Sequence, residues 1–326
     1  MPKSDTPSER FDVIVVGTGL AGLAAALSAK EQGANILVID KAPETSMGGN
    51  SRFSGGAFRT SSERVSVDDL VNELMQMSGG RTNPRLARTL YQEADAGVAW
   101  LRSYDVEIQS PEVERPDFQG TRISWHAKGN GYGLIASLFP NLEKKGIKVR
   151  FETKALELIV AGNGAVTGLR ARGKGGEVLL LGSVILATGG FQANVEMRTR
   201  YLCKGADGLI VRGSRYLTGD GLNMAIAKGA QSAGNWGDFH TAVLDARSAA
   251  VECGETNINT FPHTLIVNLD GRRFVDEGAD FFDKTYVVYG KTILEQSGGR
   301  AFCLFDANMA QRGLVLIVGS TGSGKS

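Results

Sequence analysis

The feature that most constrains this chain is a run near its amino end. Six strand-forming residues, FDVIVV from Phe11 to Val16, lead directly into Gly17-Thr18-Gly19-Leu20-Ala21-Gly22. The chain continues LAAALSAKEQGA, and a second apolar run, Ile36 to Ile39, ends at Asp40. The pattern reads as strand, glycine turn, helix and strand, a βαβ unit. GxGxxG alone is a common turn. Between a strand and a helix, with an acid about 20 residues on, it reads as a dinucleotide-binding turn. Gly17 permits the tight turn, Gly19 lets backbone approach a pyrophosphate, and Gly22 lets the helix lie close to the strand. The first helical turn, with Leu20 and Ala21, offers free N–H groups and partial positive charge to the phosphates. Asp40 is positioned to accept hydrogen bonds from ribose hydroxyls, and Lys41 beside it joins the expected cofactor contacts. The motif does not distinguish a nicotinamide from a flavin dinucleotide.

Composition narrows the class. The 326 residues suggest about two domains, with 42% hydrophobic and 22% charged residues, as in globular proteins. A net charge of +1 argues neither for nucleic acid nor for a membrane surface as a partner, and neither nucleic acid binding nor membrane insertion is expected. The 43 glycines against 8 prolines fall in clusters beside apolar runs, as expected where backbone must come close to a ligand. Cys203, Cys253 and Cys303 form no CxxC pair and no metal-ligand spacing, which fits reduced thiols and a cytoplasmic location. The first ten residues lack an apolar signal core. The longest apolar run, Val178 to Ala187, is broken by Gly182 and Ser183. It falls short of the ~20 residues that span a bilayer, so no membrane insertion is expected.

Along the chain, Ser66 to Tyr104 reads as mainly helical, with Leu70, Leu74, Met77, Leu86, Leu90 and Leu101 spaced for an apolar face, and Gly133 to Leu142 as a further helix. Lys148–Glu152 and Ala155–Val160 read as strands. Asn163-Gly164 marks a hairpin into VTGLRAR, Glu177–Leu186 gives one or two more strands, and Gly219–Gly229 a short helix.

Ser46 to Phe58, SMGGNSRFSGGAF, is a loop of glycines and small hydroxyls that lets backbone lie flat against an extended ring. GGNSxxSGG after a βαβ unit resembles the flavoprotein family of fumarate reductase and succinate dehydrogenase. The resemblance implies that Gly48, Gly49, Asn50, Ser51, Ser54, Gly55 and Gly56 line the flavin of FAD. The loop has no His, where membrane-bound members attach FAD covalently, so non-covalent FAD is expected. VILATGGF resembles the family turn that closes over the cofactor, adding Ala187, Thr188, Gly189 and Gly190. LTGDGLNMAIAKGA resembles the segment that adds Thr218, Gly219 and Asp220. Asp220 also reads as a helix N-cap.

RGSRYLTGDG, HTAVLDARSA, VNLDGRRFVDEGADF and AFCLFDA resemble most the tricarballylate dehydrogenase branch of that family. The implied chemistry is hydride transfer between a C–H bond and flavin N5, with fixed cations holding substrate carboxylates. Arg suits this through its planar fork, and Arg212, Arg215, Arg272 and Arg273 lie in the matching segments. His240, Arg215 and Arg273 are the expected catalytic and substrate-binding residues. His126 is a weaker alternative, a buried structural role is the alternative for His240, and His263 reads as a turn residue. Asp276 and Glu277 are expected to anchor their loop through Arg272 or Arg273. Relatives carry an Arg just after GADF, where this chain has Phe281-Phe282-Asp283-Lys284.

The expected architecture is α/β: a Rossmann-like FAD-binding domain over 11–235 and a partial α+β substrate-capping domain over 236–310. Residues 1–10 are expected to be disordered. Residues 311–326 are expected to form a truncated tail, because RGLVLIVGSTGSGKS matches GxxxxGKS after an apolar run and resembles the P-loop start of a pilus-retraction or type II secretion ATPase. The family's C-terminal return to the FAD domain is not found after Ala307. Three readings stand: a dehydrogenase or reductase of a di- or tricarboxylic acid with a separate acceptor protein or quinone-linked reductase, an impaired remnant, and a nucleotide-binding module. Ketosteroids, fumarate and aspartate are alternative substrates.

Overall fold

The computed structural model describes residues 6–63, 65–109, 124–253, 258, 264–279, 282–306 and 317–323. Its centre is a six-stranded sheet built from β1 (Ser8–Val16), β2 (Ile36–Ile39), β6 (Lys148–Arg150), β7 (Lys154–Val160), β8 (Val166–Gly173) and β9 (Gly176–Leu186), in the order β6-β2-β1-β9-β8-β7. The first four strands of that order are parallel and the last three antiparallel. The parallel strands are buried on both faces, so they read as unbroken apolar runs. Val15 and Val38 point to a core with Leu23 and Leu27 of α1 (Leu20–Glu31), and Ile14, Val16, Leu37 and Ile39 to a second core with Leu158, Leu169 and Leu180.

β1 starts at Ser8, three residues inside the segment expected to be disordered. Ser8, Glu9 and Arg10 register with Leu179–Leu181, and Arg150 holds Glu9 through two bonds of 2.7 and 2.6 Å. β9 is one strand, joined to β8 by a tight hairpin, and the β7–β8 turn carries Gly164 at φ +84°.

The helical stretch divides into α2 (Val67–Met77), α3 (Pro84–Gln92) and α4 (Ala94–Ser103). A capping box between Ser66 and Asp69 starts α2; Asn83 caps α3 with Pro84 at its first position. Leu70 and Leu101 are buried, but α3 turns Ala87 and Tyr91 inward and leaves Leu86 and Leu90 exposed. The expected single apolar face therefore fails at α3, because each helix sets its own rotation. β3 (Ala57–Arg59), β4 (Ile108–Gln109) and β5 (Ser124–Ala127) form a small sheet in the order β3-β5-β4. The helix expected over Gly133–Leu142 is α5 (Asn130–Leu138) followed by α6 (Pro140–Lys144). Pro140 has no N–H to continue α5, and the buried Asn141 side chain serves the carbonyls of Ser137, Leu138 and Tyr104 instead.

After α7 (Val195–Tyr201) and α8 (Asp220–Ala227), a second sheet forms from β10 (His240–Asp245), β11 (Leu265–Val267), β12 (Arg300–Leu304) and β13 (Ile317–Ser323), in the order β10-β13-β12-β11. All its pairings are antiparallel. α9 (Phe282–Leu294) covers it through Tyr289 and Ile293, which share a core with Val243, Ile266, Ala301 and Cys303. Burial pushes the Cys303 thiol up to about 11. The tail departs from its expected conformation: Gly319–Ser323 is extended strand, and Gly324, Lys325 and Ser326 lie outside the described residues.

Candidate functional site

The site begins where β1 ends. Gly17 has φ +113°, and a Cβ there would lie 2.4 Å from the Ala187 carbonyl oxygen. A Cβ on Gly22 would lie 1.9 Å from the Gly17 carbonyl oxygen. The turn therefore closes only without side chains at both positions, which brings α1 end-on to the tips of β1 and β9. Gly19 is the N-cap of α1. The Leu20 N–H donates to Ser51 Oγ at 3.0 Å. Ala21 and Gly22 have no carbonyl one turn behind them to bond.

Thr18, fully buried, ties this turn to its neighbours. Its N–H and Oγ1 donate to Asp40 Oδ2 at 2.8 and 2.6 Å, and its Oγ1 accepts from the Gly48 N–H at 3.1 Å. Asp40 Oδ1 accepts from Ala42 N–H at 2.8 Å. A carboxylate has about four lone-pair positions, so Asp40 retains capacity for a ribose hydroxyl beside three internal bonds. The sequence reading passed over Thr18 because it fills a variable position of GxGxxG. Its small hydroxyl, directly between Gly17 and Gly19, is the available signal.

The loop over Ser46–Gly56 folds onto the same end of α1. Ser54 Oγ donates to Ser51 O and accepts from Gly56 N–H, and Ser54 O accepts from Gly131 N–H of α5 at 2.9 Å. Asn50 Oδ1 accepts from Ser214 N–H at 2.9 Å. The Arg212 guanidinium donates to Phe53 O through Nε and Nη2. Ala187–Gly190 comes in from the β9 side. A Cβ on Gly221 would meet Thr188 Oγ1 at 2.1 Å, and Gly219 N–H donates to Gly190 O at 3.1 Å. Lys41 Nζ donates to Thr218 Oγ1 at 2.5 Å and to Asp220 Oδ2 at 2.6 Å; Lys154 lies 3.5 Å from Asp220 Oδ1. Burial alone would push the Asp220 carboxyl up, but Lys41 and Lys154 together hold it below the usual range. The N-cap reading of Asp220 does not hold: Gly219 is the N-cap, and Asp220 turns its carboxylate to the lysines.

Four segments far apart in sequence thus meet around the N-terminus of α1: 17–22, 48–56, 187–190 and 218–221. They present main chain and small hydroxyls rather than bulky side chains. This suits a long ligand with a diphosphate at the helix end and a flat ring against the glycine loop.

The expected substrate residues are more dispersed. Arg215 Nε donates to Glu252 Oε2 at 2.8 Å, and its N–H to Oε1 at 3.1 Å. Arg273 Nη2 donates to Glu277 Oε2 at 2.5 Å, while Glu277 Oε1 accepts from Ile266 N–H at 2.5 Å. Burial would raise the Glu277 carboxyl, but the Ile266 N–H and Arg273 outweigh it and hold the group low. Arg215 and Arg273 therefore have different carboxylate partners on this chain. Arg272 and His126 are exposed, on the turn after β11 and on β5. His240 is partly buried at the first position of β10, in register with Ser323. His263 and Phe281 lie outside the described residues, as do the side chains of Phe282, Asp283 and Lys284. Among the described residues, no helix is long and apolar enough to cross a membrane.

The family model described as FAD binding domain matches residues 12–315. A probable fumarate reductase of Shewanella frigidimarina is 31% identical over 322 residues, covering 94% of this chain and 52% of that protein. A vinyl phenol reductase of Lactiplantibacillus plantarum is 32% identical over 286 residues, covering 82% of this chain and 57% of that protein. Among solved structures, the open conformation of a flavocytochrome c3 fumarate reductase superposes with a TM-score of 0.76 at 28% identity, covering 94% of this chain and 54% of that one. The chain spans about half the length of these relatives.

Proposed function

The chain belongs to the FAD binding domain family, and from that premise we propose that it is an FAD-dependent oxidoreductase acting on the CH–CH or C=C bond of a small di- or tricarboxylic acid, with tricarballylate as the favoured substrate. The observation that carries the reading is the meeting of the four bare backbone segments at the N-terminus of α1. FAD, when bound, supplies a hydride acceptor or donor at its ring. The chain's own residues do the rest. Ala21 and Gly22 offer main-chain N–H groups to the diphosphate, and Asp40 accepts from the ribose. The residues of 48–56 would hold the ring, together with the segments 187–190 and 218–221. The absence of a His in the glycine loop supports non-covalent binding. Electrons would pass to a separate acceptor protein or quinone-linked reductase.

Carboxylate recognition falls to the arginines near the loop. Arg212 is the best placed, since its guanidinium already lies on Phe53 of the glycine loop. A second reading, an alkene substrate without a carboxylate, is favoured by the carboxylate partners that Arg215 and Arg273 already have, and by the likeness to a vinyl phenol reductase.

The test is reconstitution of the purified chain with FAD, followed by tricarballylate added to the oxidised protein and by fumarate or a vinyl phenol added to the reduced protein. Bleaching with tricarballylate, or reoxidation by fumarate, supports the first reading. Reoxidation by the vinyl phenol alone supports the second. A chain that takes up no flavin, or a bound flavin that responds to none of the three, overturns both.

A further inference from the structure

Asp40 follows β2 and is held through its main chain: its N–H donates to Arg150 O at 2.9 Å, and its carbonyl accepts from Thr153 N–H at 2.8 Å. Those bonds leave its side chain free to rotate. Two neighbours settle the rotation. Ala42 N–H holds Oδ1 at 2.8 Å, and Thr18 holds Oδ2 through its N–H at 2.8 Å and its hydroxyl at 2.6 Å. A carboxylate has about four acceptor positions, so one stays open, and Asp40 is partly exposed beside the glycine turn.

Thr18 itself is fully buried. Its hydroxyl meets no ligand and can act only through the groups it touches. The hydroxyl hydrogen goes to Asp40, because an ionised carboxylate can only accept. The same oxygen accepts from the buried N–H of Gly48, at the start of the glycine loop. One hydroxyl thus fixes an acid 22 residues on and a loop 30 residues on. Packing alone does not require it, since a methyl group fills the same space. The distance does: 2.6 Å between Oγ1 and Oδ2 is a hydrogen bond, whereas a carbon in that place needs roughly 3.5 Å. Valine, with the shape of threonine, would push the carboxylate away and leave the Gly48 N–H without its acceptor.

We infer that Thr18 is a positioning residue whose hydroxyl presets the Asp40 carboxylate to accept from the ribose of the bound dinucleotide. This inference rests on the FAD reading above. Thr18 occupies a variable position of GxGxxG, so its role comes from these contacts and not from the turn, which closes through Gly17 and Gly22.

The experiment uses the full chain without flavin and its Thr18→Ser, Thr18→Val and Thr18→Ala variants. Each is titrated with FAD, with ADP and with the dideoxy analogue of ADP, which lacks both ribose hydroxyls. Wild type should bind ADP at least about tenfold more tightly than the analogue, since a hydrogen bond to a charged group is at stake. Thr18→Ser keeps the hydroxyl and should hold that ratio to within about twofold, while Thr18→Val and Thr18→Ala should lower it by at least about threefold. A purely structural loss weakens both nucleotides alike and leaves the ratio unchanged. Thr18→Val and Thr18→Ala variants with the wild-type ratio therefore overturn the proposal. So does a Thr18→Ser ratio as low as that of Thr18→Val, and so does a wild type that binds FAD but does not discriminate between ADP and its analogue. If Thr18→Val does not fold, Thr18→Ala decides alone. A wild-type chain that binds neither FAD nor ADP overturns the flavin reading itself, an outcome distinct from binding without discrimination.

Discussion

Two helical glycines, Gly22 in α1 and Gly97 in α4, should respond in opposite ways to the same methyl group. In both cases Ala relieves the intrinsic cost of glycine in a helix, a gain of roughly 1 kcal/mol. At Gly97, nothing lies within 4 Å of the added Cβ and the position is exposed, so the gain should be realised in full. At Gly22 the Cβ would sit 1.9 Å from the Gly17 carbonyl oxygen and 3.4 Å from Ala187 Cβ. The clash is with main chain, so no rotamer change relieves it, and helix and turn must separate by about 1 Å. Overpacking of this kind costs typically 1–3 kcal/mol, and a rigid backbone contact belongs at the upper end. The net expectation for Gly22→Ala is a loss of roughly 1–2 kcal/mol, against a gain of up to about 1 kcal/mol for Gly97→Ala. Urea unfolding of the two variants without cofactor measures the stability terms. Because the separation also pulls the α1 N–H groups from the phosphate position, FAD affinity should fall by at least about tenfold in Gly22→Ala alone. A Gly22→Ala variant as stable as wild type with unchanged FAD affinity would refute the close-approach argument for the whole turn.

Asp220 titrates low because of Lys41 and Lys154, despite its burial. A group lowered on folding stabilises above its unfolded value, near 3.8, and loses that contribution as pH falls through the folded value. Asp220→Asn should therefore be less stable than wild type at neutral pH, and the two unfolding curves should converge as pH drops below about 4; a constant gap down to pH 2 would contradict the assignment. Arg273→Ala should lower the melting midpoint at neutral pH, with the gap from wild type narrowing as pH falls through the range where Glu277 titrates, because Glu277 loses one of the partners that hold its buried carboxyl low, and Arg273→Lys should restore most of both effects. If Arg273 instead acts on substrate, Arg273→Ala will leave melting unchanged and weaken substrate binding only.

What the sequence made legible was set by how local the physics is. The βαβ unit, its glycine turn and the shape of the glycine loop follow from residues within about 40 positions of one another, and the structure draws them as the pattern implies. The meeting of 48–56, 187–190 and 218–221 was readable only through family likeness, since nothing in Ala187–Gly190 by itself says that Thr188 will rest on Gly221. Leu86 and Leu90 misled because spacing reports that a helix has an apolar stripe, not whether a neighbour covers it. Asp220 misled because a residue before a helix reads as a cap whenever its distant partners, here Lys41 and Lys154, are not visible. Thr18 carries only its small hydroxyl as a signal, and it draws its importance from being buried against Asp40 and Gly48, which lie far off in the chain.

The tail shows the same competition between local pattern and long-range pairing, and it bears on function. GxxxxGKS describes a loop whose main-chain N–H groups curve around phosphates. Ile317–Ser323 instead runs extended between two strands. Six of its residues, Val318 to Ser323, register with Asp245–His240 on one side, and Ile317–Gly319 with Phe302–Arg300 on the other. Glycine-rich sequence has poor strand propensity, so pairing holds this strand rather than preference. The strand also separates two others that would each expose an unpaired edge. A backbone N–H has one hydrogen to give. Where that hydrogen is committed to a ladder it cannot also cradle a phosphate. For the N–H groups of Gly319–Ser323 that the ladder takes, membership of the second sheet and a phosphate cradle are therefore mutually exclusive.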